Sequence, residues 1–182
     1  PGRGWWGNKW SWLMGFYFVD PLPNVENMTF RVEYTRTRPF TYTHFIANQG
    51  YTHYNDLLAH PSGPNAEDLA LFLTYQPTQK LFSAVNFAMT LRGRSEDGEN
   101  VGDDPRLSYE TRDGDFNHSL LQGVPQNFIL VEAHAGYELL PLLFVEGALR
   151  YEYLDDGEQG TSQYIYPFLS LRWGLPFQSN RY

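Results

Sequence analysis

Met28-Thr29-Phe30-Arg31-Val32-Glu33-Tyr34-Thr35 is the stretch that decides the fold. Its apolar residues, Met28, Phe30, Val32 and Tyr34, fall on every second position, and Thr29, Arg31, Glu33 and Thr35 fill the gaps. A period of two puts the first set on one face of a β-strand and the second on the other. Arg31 and Glu33 cannot both point into hydrocarbon, where a mid-bilayer Arg costs roughly 2–4 kcal/mol. Their face must be wet. The opposite face is apolar enough either for lipid or for the core of a soluble sandwich, so this strand alone leaves both open.

The same alternation recurs along the chain. Upstream, within Lys9 to Asp20, Trp10, Trp12, Met14, Phe16 and Phe18 oppose Ser11, Leu13, Gly15 and Tyr17, before Asp20-Pro21-Leu22-Pro23-Asn24 breaks the run. Downstream, Leu69, Leu71, Leu73 and Tyr75 form a third apolar face, and Gln76-Pro77-Thr78-Gln79 a turn. Leu81, Val85, Phe87, Met89 and Leu91 then oppose Ala84, Asn86, Ala88, Thr90 and Arg92. Ile129, Val131, Ala133, Ala135 and Tyr137 interleave with Glu132 and His134. Val145, Leu149, Tyr151 and Tyr153 interleave with Glu146, Arg150 and Glu152. Ile165, Leu169, Leu171, Trp173 and Leu175 close the series. The expected fold is all-β, an antiparallel sheet of about seven strands.

Composition and spacing favour a transmembrane β-barrel over a soluble sandwich. Aromatic residues make up 17% of the chain while mean hydropathy is -0.47. No run approaches the roughly 18–20 consecutive apolar residues of a membrane helix, but barrel strands dilute their lipid face with polar lumen residues. Long connections are expected at about residues 44–68, 93–126 and 155–162, alternating with short turns, as extracellular loops alternate with periplasmic turns in bacterial outer-membrane barrels. Trp5, Trp6, Trp10, Tyr42, Tyr75, Tyr153, Tyr164 and Trp173 sit near strand ends, where interfacial girdles form. Single-chain bacterial barrels close with an even number of strands, so an odd count predicts further strands upstream and makes this the C-terminal part of a larger barrel.

The chain has 0 Cys, which removes disulfides, thiolate metal sites and a Cys nucleophile from consideration. A net charge of -8 and a pI near 5.0 exclude nucleic acid as the expected partner. The lumen-facing charges Arg31, Glu33, Arg92, Glu132, His134, Glu146, Arg150 and Glu152 are expected to pair across strands, and would set selectivity if the lumen conducts. No nucleophile or oxyanion donor accompanies them, so no enzyme is expected. His44, His53 and His60 with Glu67 and Asp68 match no standard zinc spacing. Asp113 and Asp115 open a calcium-loop-like run, but His118 stands where that loop needs glycine and Val124 where it needs glutamate, so no cofactor is expected.

Arg38-Pro39-Phe40-Thr41-Tyr42-Thr43-His44, Tyr51-Thr52-His53-Tyr54-Asn55 and Leu58-Ala59-His60-Pro61-Ser62-Gly63 together resemble a known family. It is that of the Wzi-like capsule-assembly barrels and their Bacteroidota-type relatives, among them barrels of gliding bacteria linked to motility or secretion machinery. The end of the chain, from Leu171-Arg172-Trp173-Gly174 to Tyr182, looks like that family's terminal strand. The likeness covers about residues 5–92 and 142–182. It implies a non-enzymatic protein of the Gram-negative outer membrane, in contact with lipid and lipopolysaccharide. Such a protein would display loops for attachment or assembly of surface polysaccharide. His44, Tyr51, His53, Tyr54, Asn55, His60 and Asp68 are the candidate contacts. An accessory subunit of an envelope secretion or motility complex, with other envelope proteins as partners, and a transport pore are the alternatives.

Overall fold

The computed structural model describes residues 3–54 and 56–174. Asn55, Leu175 and the rest of the terminal motif to Tyr182 lie outside the described residues. Seven long strands form one sheet: β1 (Ser11–Val19), β2 (Met28–Thr37), β5 (Ala66–Tyr75), β6 (Leu81–Arg94), β7 (Val124–Leu140), β8 (Leu143–Asp156) and β9 (Gly160–Trp173). β3 (Thr52–His53) and β4 (Asp56–Leu57) make a separate small hairpin between β2 and β5. The large sheet runs β1-β2-β5-β6-β7-β8-β9, each strand antiparallel to its neighbour, and β1 and β9 do not pair with each other. The wall is therefore that of an all-β antiparallel fold with an open sheet. Among the described residues no helix is long and apolar enough to cross a membrane.

Register carries the alternation across the wall. Val32 pairs with Phe16 and Leu71, Leu71 with Phe87, Phe87 with Val131, and Val131 with Tyr151, so one row of apolar side chains runs along the outer face. One residue away, Arg31 pairs with Phe72, Phe72 with Asn86, Asn86 with Glu132 and Glu132 with Arg150, forming a mixed, largely polar row on the inner face. A slip of one residue would exchange these faces throughout the strand, so the pattern fixes the register. The strands run up to 17 residues, well beyond the roughly five or six usual in soluble sheets.

The short turns gather at one end. Asp20 Oδ1 accepts from Met28 N at 2.9 Å and closes the turn after β1. Thr78 Oγ1 accepts from Leu81 N at 3.0 Å between β5 and β6. Between β7 and β8, Leu142 adopts a φ of 65° and its N–H is held by Glu138 Oε1 at 2.8 Å. At the other end lie residues 38–65, residues 95–123 and the short connection 157–159. The expected loop at 155–162 thus shrinks to three residues, because β8 and β9 stay paired out to Asp156 and Gly160. The first long loop likewise ends before Ala66, which places Asp68 on β5 rather than in the loop.

Burial is lopsided. The largest fully buried side chains are Phe40, Asn65, Thr35, Thr37, Pro39 and Pro64, all at the end where the long loops meet the wall. Along the outer face, by contrast, Phe16, Leu149, Ile165, Leu169 and Trp173 are more than half exposed.

Candidate functional site

The two long loops fold over the inner face and each other, forming a cap. Its clasp is Asn65, buried and at a φ of 57°, whose Nδ2 donates to Gly93 O at 2.9 Å and to Gln122 O at 2.8 Å. One amide thus joins the end of the first loop to both ends of the second. Gly93 is required here: a Cβ at that position would sit 1.9 Å from Gln122 O. Phe40, also fully buried, packs edge-on against the His118 ring with centroids 5.1 Å apart, and its N–H donates to Gly102 O at 2.9 Å. Arg38 Nη2 donates to His118 O at 2.9 Å.

The segment preceding β1 joins the same cap. Asn117 N donates to Arg3 O at 2.7 Å, His118 N to Gly4 O at 2.8 Å and Trp6 N to Asp115 O at 3.0 Å. Trp6 lies 4.4 Å from Tyr109, with Lys9 Nζ 5.1 Å and the Arg112 guanidinium 4.3 Å from its ring centre. Partial burial, and then the nearby Arg112 charge, hold the Lys9 ammonium below its ordinary pKa. The girdle expected to include Trp5, Trp6 and Tyr42 is corrected here: Trp5 and Trp6 pack together inside the cap and Tyr42 against the loop's Tyr51. Tyr164 pairs across from Glu152 on the inner face. The sequence signal missed for Trp6 was its nearness to Lys9 in a region without alternation. Tyr109 was hidden in an acidic run.

The candidate contact residues divide into two groups. His44 packs 4.4 Å from Phe45 and 6.4 Å from Tyr109, with its Nδ1 accepting from Ile46 N at 3.2 Å. Tyr51 lies 6.1 Å from Tyr42, and His53 and Tyr54 are 4.3 Å apart in the small β3–β4 hairpin. With exposed Phe45, Ile46 and Leu58, these form an apolar and aromatic crest at which Tyr54 is 89% exposed.

His60 and Asp68 belong elsewhere. Residues 59–64 turn inward, and His60 Nε2 lies 3.8 Å from Asp68 Oδ2 on the wall. Asp68 Oδ1 accepts from Thr90 Oγ1 at 2.6 Å, and His60 Nδ1 is 2.8 Å from Ser62 Oγ. This stretch parts two cavities of about 400 and 390 Å³, one within the cap and one against the inner wall, which share Pro61, Ser62 and Arg92 in their linings.

The inner-face charges form separate clusters. Arg31 and Glu33 approach to 3.5 Å, and Arg150 reaches Glu152 at 2.7 Å and Glu132 at 4.0 Å. Glu146 receives Arg172 Nε at 2.7 Å and faces His134 at 3.9 Å. Arg92 departs from the expected ladder, reaching out of the wall to loop residue Asp103 at 3.3 Å. Arg94 does the same along the rim, bridging Asp156 at 3.1 Å and Glu158 at 2.7 Å. On the second loop, the Arg106 guanidinium hydrogen-bonded to Asp104 holds that carboxyl below the usual carboxylate range.

Of the weak calcium candidates, Asp115 is bound to the Arg112 guanidinium, whose Nε lies 3.1 Å from Asp115 Oδ1. A cation there would have to displace that positive charge. Asp113 lines a separate cavity of about 900 Å³ formed by residues 98–123. Among the described residues, no group of three or more His, Asp or Glu side chains is placed to hold a metal ion.

Comparison with known families matches residues 2–153 to the model described as "Capsule assembly protein Wzi". The match spans strands β1 to β7, most of β8, and both loops of the cap. No curated protein and no solved structure matches the chain.

Proposed function

The chain belongs to the Wzi capsule assembly family, and from that premise we propose that it is a non-enzymatic part of an outer-membrane barrel whose cap holds surface polysaccharide. A role in capsule assembly comes with the family; the attachment surface and the membrane setting are our reading. The observation that carries it is the contrast between a packed cap and the exposed aromatic crest it presents. Tyr51 and Tyr54 project from a loop whose two ends are anchored in the cap by Phe40 and Asn65. Aromatic rings offer the apolar C–H faces of sugars a flat partner, and His53 adds a hydrogen-bonding group beside Tyr54.

The outer face supports the membrane setting. A contiguous apolar surface of this extent is not tolerated by a water-soluble monomer and is what lipid requires. The end bearing the short turns would then face the periplasm, and the cap the outside. A cap folded across one end of the inner face weighs against an open transport pore.

The test is co-sedimentation of purified capsular polysaccharide with proteoliposomes carrying the chain. Wild-type vesicles should retain the polymer, and a Tyr51→Ala/Tyr54→Ala double variant should lose most of it while keeping its fold. Undiminished retention by the double variant would show that the crest is not the attachment surface.

A further inference from the structure

The second loop carries a cavity of its own, of about 900 Å³, lined by residues between Gly98 and Gly123 and within the roughly 300–1,000 Å³ of small-molecule sites. The buried polar groups of its lining are saturated. Asn100 Nδ2 donates to Ser108 O at 2.9 Å and to Thr111 Oγ1 at 2.8 Å, while its Oδ1 accepts from Gly102 N at 3.0 Å. The ring nitrogens of buried His118 lie 3.2 Å from Gly114 O and 3.1 Å from Gln122 Nε2. Arg112 and Asp115 bind each other. The rest of the rim differs. Glu99, Asp113 and Asn117 are exposed, and among the described residues their side chains make no hydrogen bond or ion pair. Phe116 is 55% exposed and has no ring partner among the described residues.

We propose that this cavity is a binding subsite for an uncharged pyranose residue of a surface polymer. Asp113 and Glu99 accept from its hydroxyls, the Asn117 amide both donates and accepts, and Phe116 covers the apolar C–H face of its ring. The charge of the lining selects against an acidic sugar. Arg112 is its one arginine and is already neutralised by Asp115, so a uronate would meet two uncompensated carboxylates. Residues 95–123 as a whole hold eight carboxylates against two guanidiniums. The free carboxylates are exposed to solvent, so an ion pair with an amino sugar would gain little over a hydroxyl. The inference rests on the polysaccharide reading above and adds to it the charge class of the sugar and a second point of contact. Asn100 Nδ2 holds Ser108 O, and Ser108 Oγ donates to Phe45 O at 2.6 Å, which places the cavity next to the crest.

Isothermal titration of the detergent-solubilised chain with oligosaccharides of equal length tests the proposal. The arms are neutral oligomers of glucose, galactose, mannose and N-acetylglucosamine, an oligoglucuronide and an oligoglucosamine. At least one neutral oligomer should bind, and the oligoglucuronide should not. Asp113→Ala should weaken that binding roughly ten- to a hundredfold, as expected for loss of a hydrogen bond to a charged group, and Phe116→Ala about tenfold. Neither side chain has a partner among the described residues, so both variants should keep the protease resistance of the cap. The Tyr51→Ala/Tyr54→Ala variant should bind the oligomer as the wild type does. Tightest binding by the oligoglucuronide or the oligoglucosamine would overturn the assignment of an uncharged sugar. Absence of binding by every neutral oligomer, or binding unchanged in both cavity variants, would overturn the site. Retention of whole polysaccharide without oligomer binding would sink the cavity and leave the crest standing. Oligomer binding that Phe116→Ala weakens, with no polysaccharide retention, would do the reverse.

Discussion

The wall and the cap of this molecule are built on opposite plans. The wall is regular in backbone and leaves its outer face exposed, as at Phe16 of β1 and Leu169 and Trp173 of β9, while the side chains it buries, among them Thr35, Thr37, Ala66, Ala70, Ala84 and Ala88, are small. The cap is irregular in backbone and holds the bulkiest buried side chains, with Phe40 and Asn65 fully enclosed. Ladder hydrogen bonds and an apolar solvent suffice for the first, whereas the second has to pack a core as a water-soluble protein does. Stability of the cap is therefore a matter of individual side chains. That of the wall depends on which solvent meets its outer face.

The largest effect is expected at the centre of the cap. Phe40→Ala should cost about 3–5 kcal/mol, the usual range for truncating a buried Phe. It should open residues 38–65 and 95–123 to limited proteolysis while the sheet resists. Joint collapse of wall and cap would break the distinction between them. On the wall, Leu71→Arg places a charge in the middle of the outer apolar row. It should cost roughly 2–4 kcal/mol in a bilayer and leave the cap's protease resistance intact. Equal tolerance in bilayer and in aqueous buffer, measured by refolding in urea, would contradict a lipid-facing wall.

The smallest effect is electrostatic and confined to the cap. Asp104 has a folded-state pKa lowered chiefly by its hydrogen bond with Arg106. Its contribution is present above the unfolded value, about 3.9, and is lost as pH falls through the folded value. Arg106 is largely exposed, so solvent screens the pair and the contribution is small. Lys9 has the opposite sign: its folded pKa is lowered, so charging it disfavours the folded cap, and that penalty fades as pH rises toward 10.5. Protease resistance of the cap, followed from pH 6 downward, should decline below about pH 4, and Asp104→Asn should flatten part of that decline. An identical profile in the variant would remove Asp104 from the account.

Much of the wall was legible because a period of two is a local property. Met28 to Thr35 assigns its own faces without knowledge of any partner, and the inner and outer sets of β6, β7 and β8 follow in the same way. The cap was not legible, because its contacts are remote in the chain. Asn65 clasps Gln122 across 57 residues, and Arg38 reaches His118 across 80. Nothing local distinguishes Trp6 in the cap from a girdle Trp, or Arg92 aimed at a loop carboxylate from a member of a wall ladder. The histidines and tyrosines between residues 44 and 60 were recognisable as a group by likeness to a family. Their division into an outer crest and an inward-turned His60 required the fold.

Hydrogen exchange on the membrane-embedded chain, with and without capsular polysaccharide, tests the central claim most directly. The account predicts added protection at residues 42–58 of the crest and no change at the turns 20–27, 76–80 and 141–142. Protection confined to those turns, or none anywhere under saturating polymer, would contradict it.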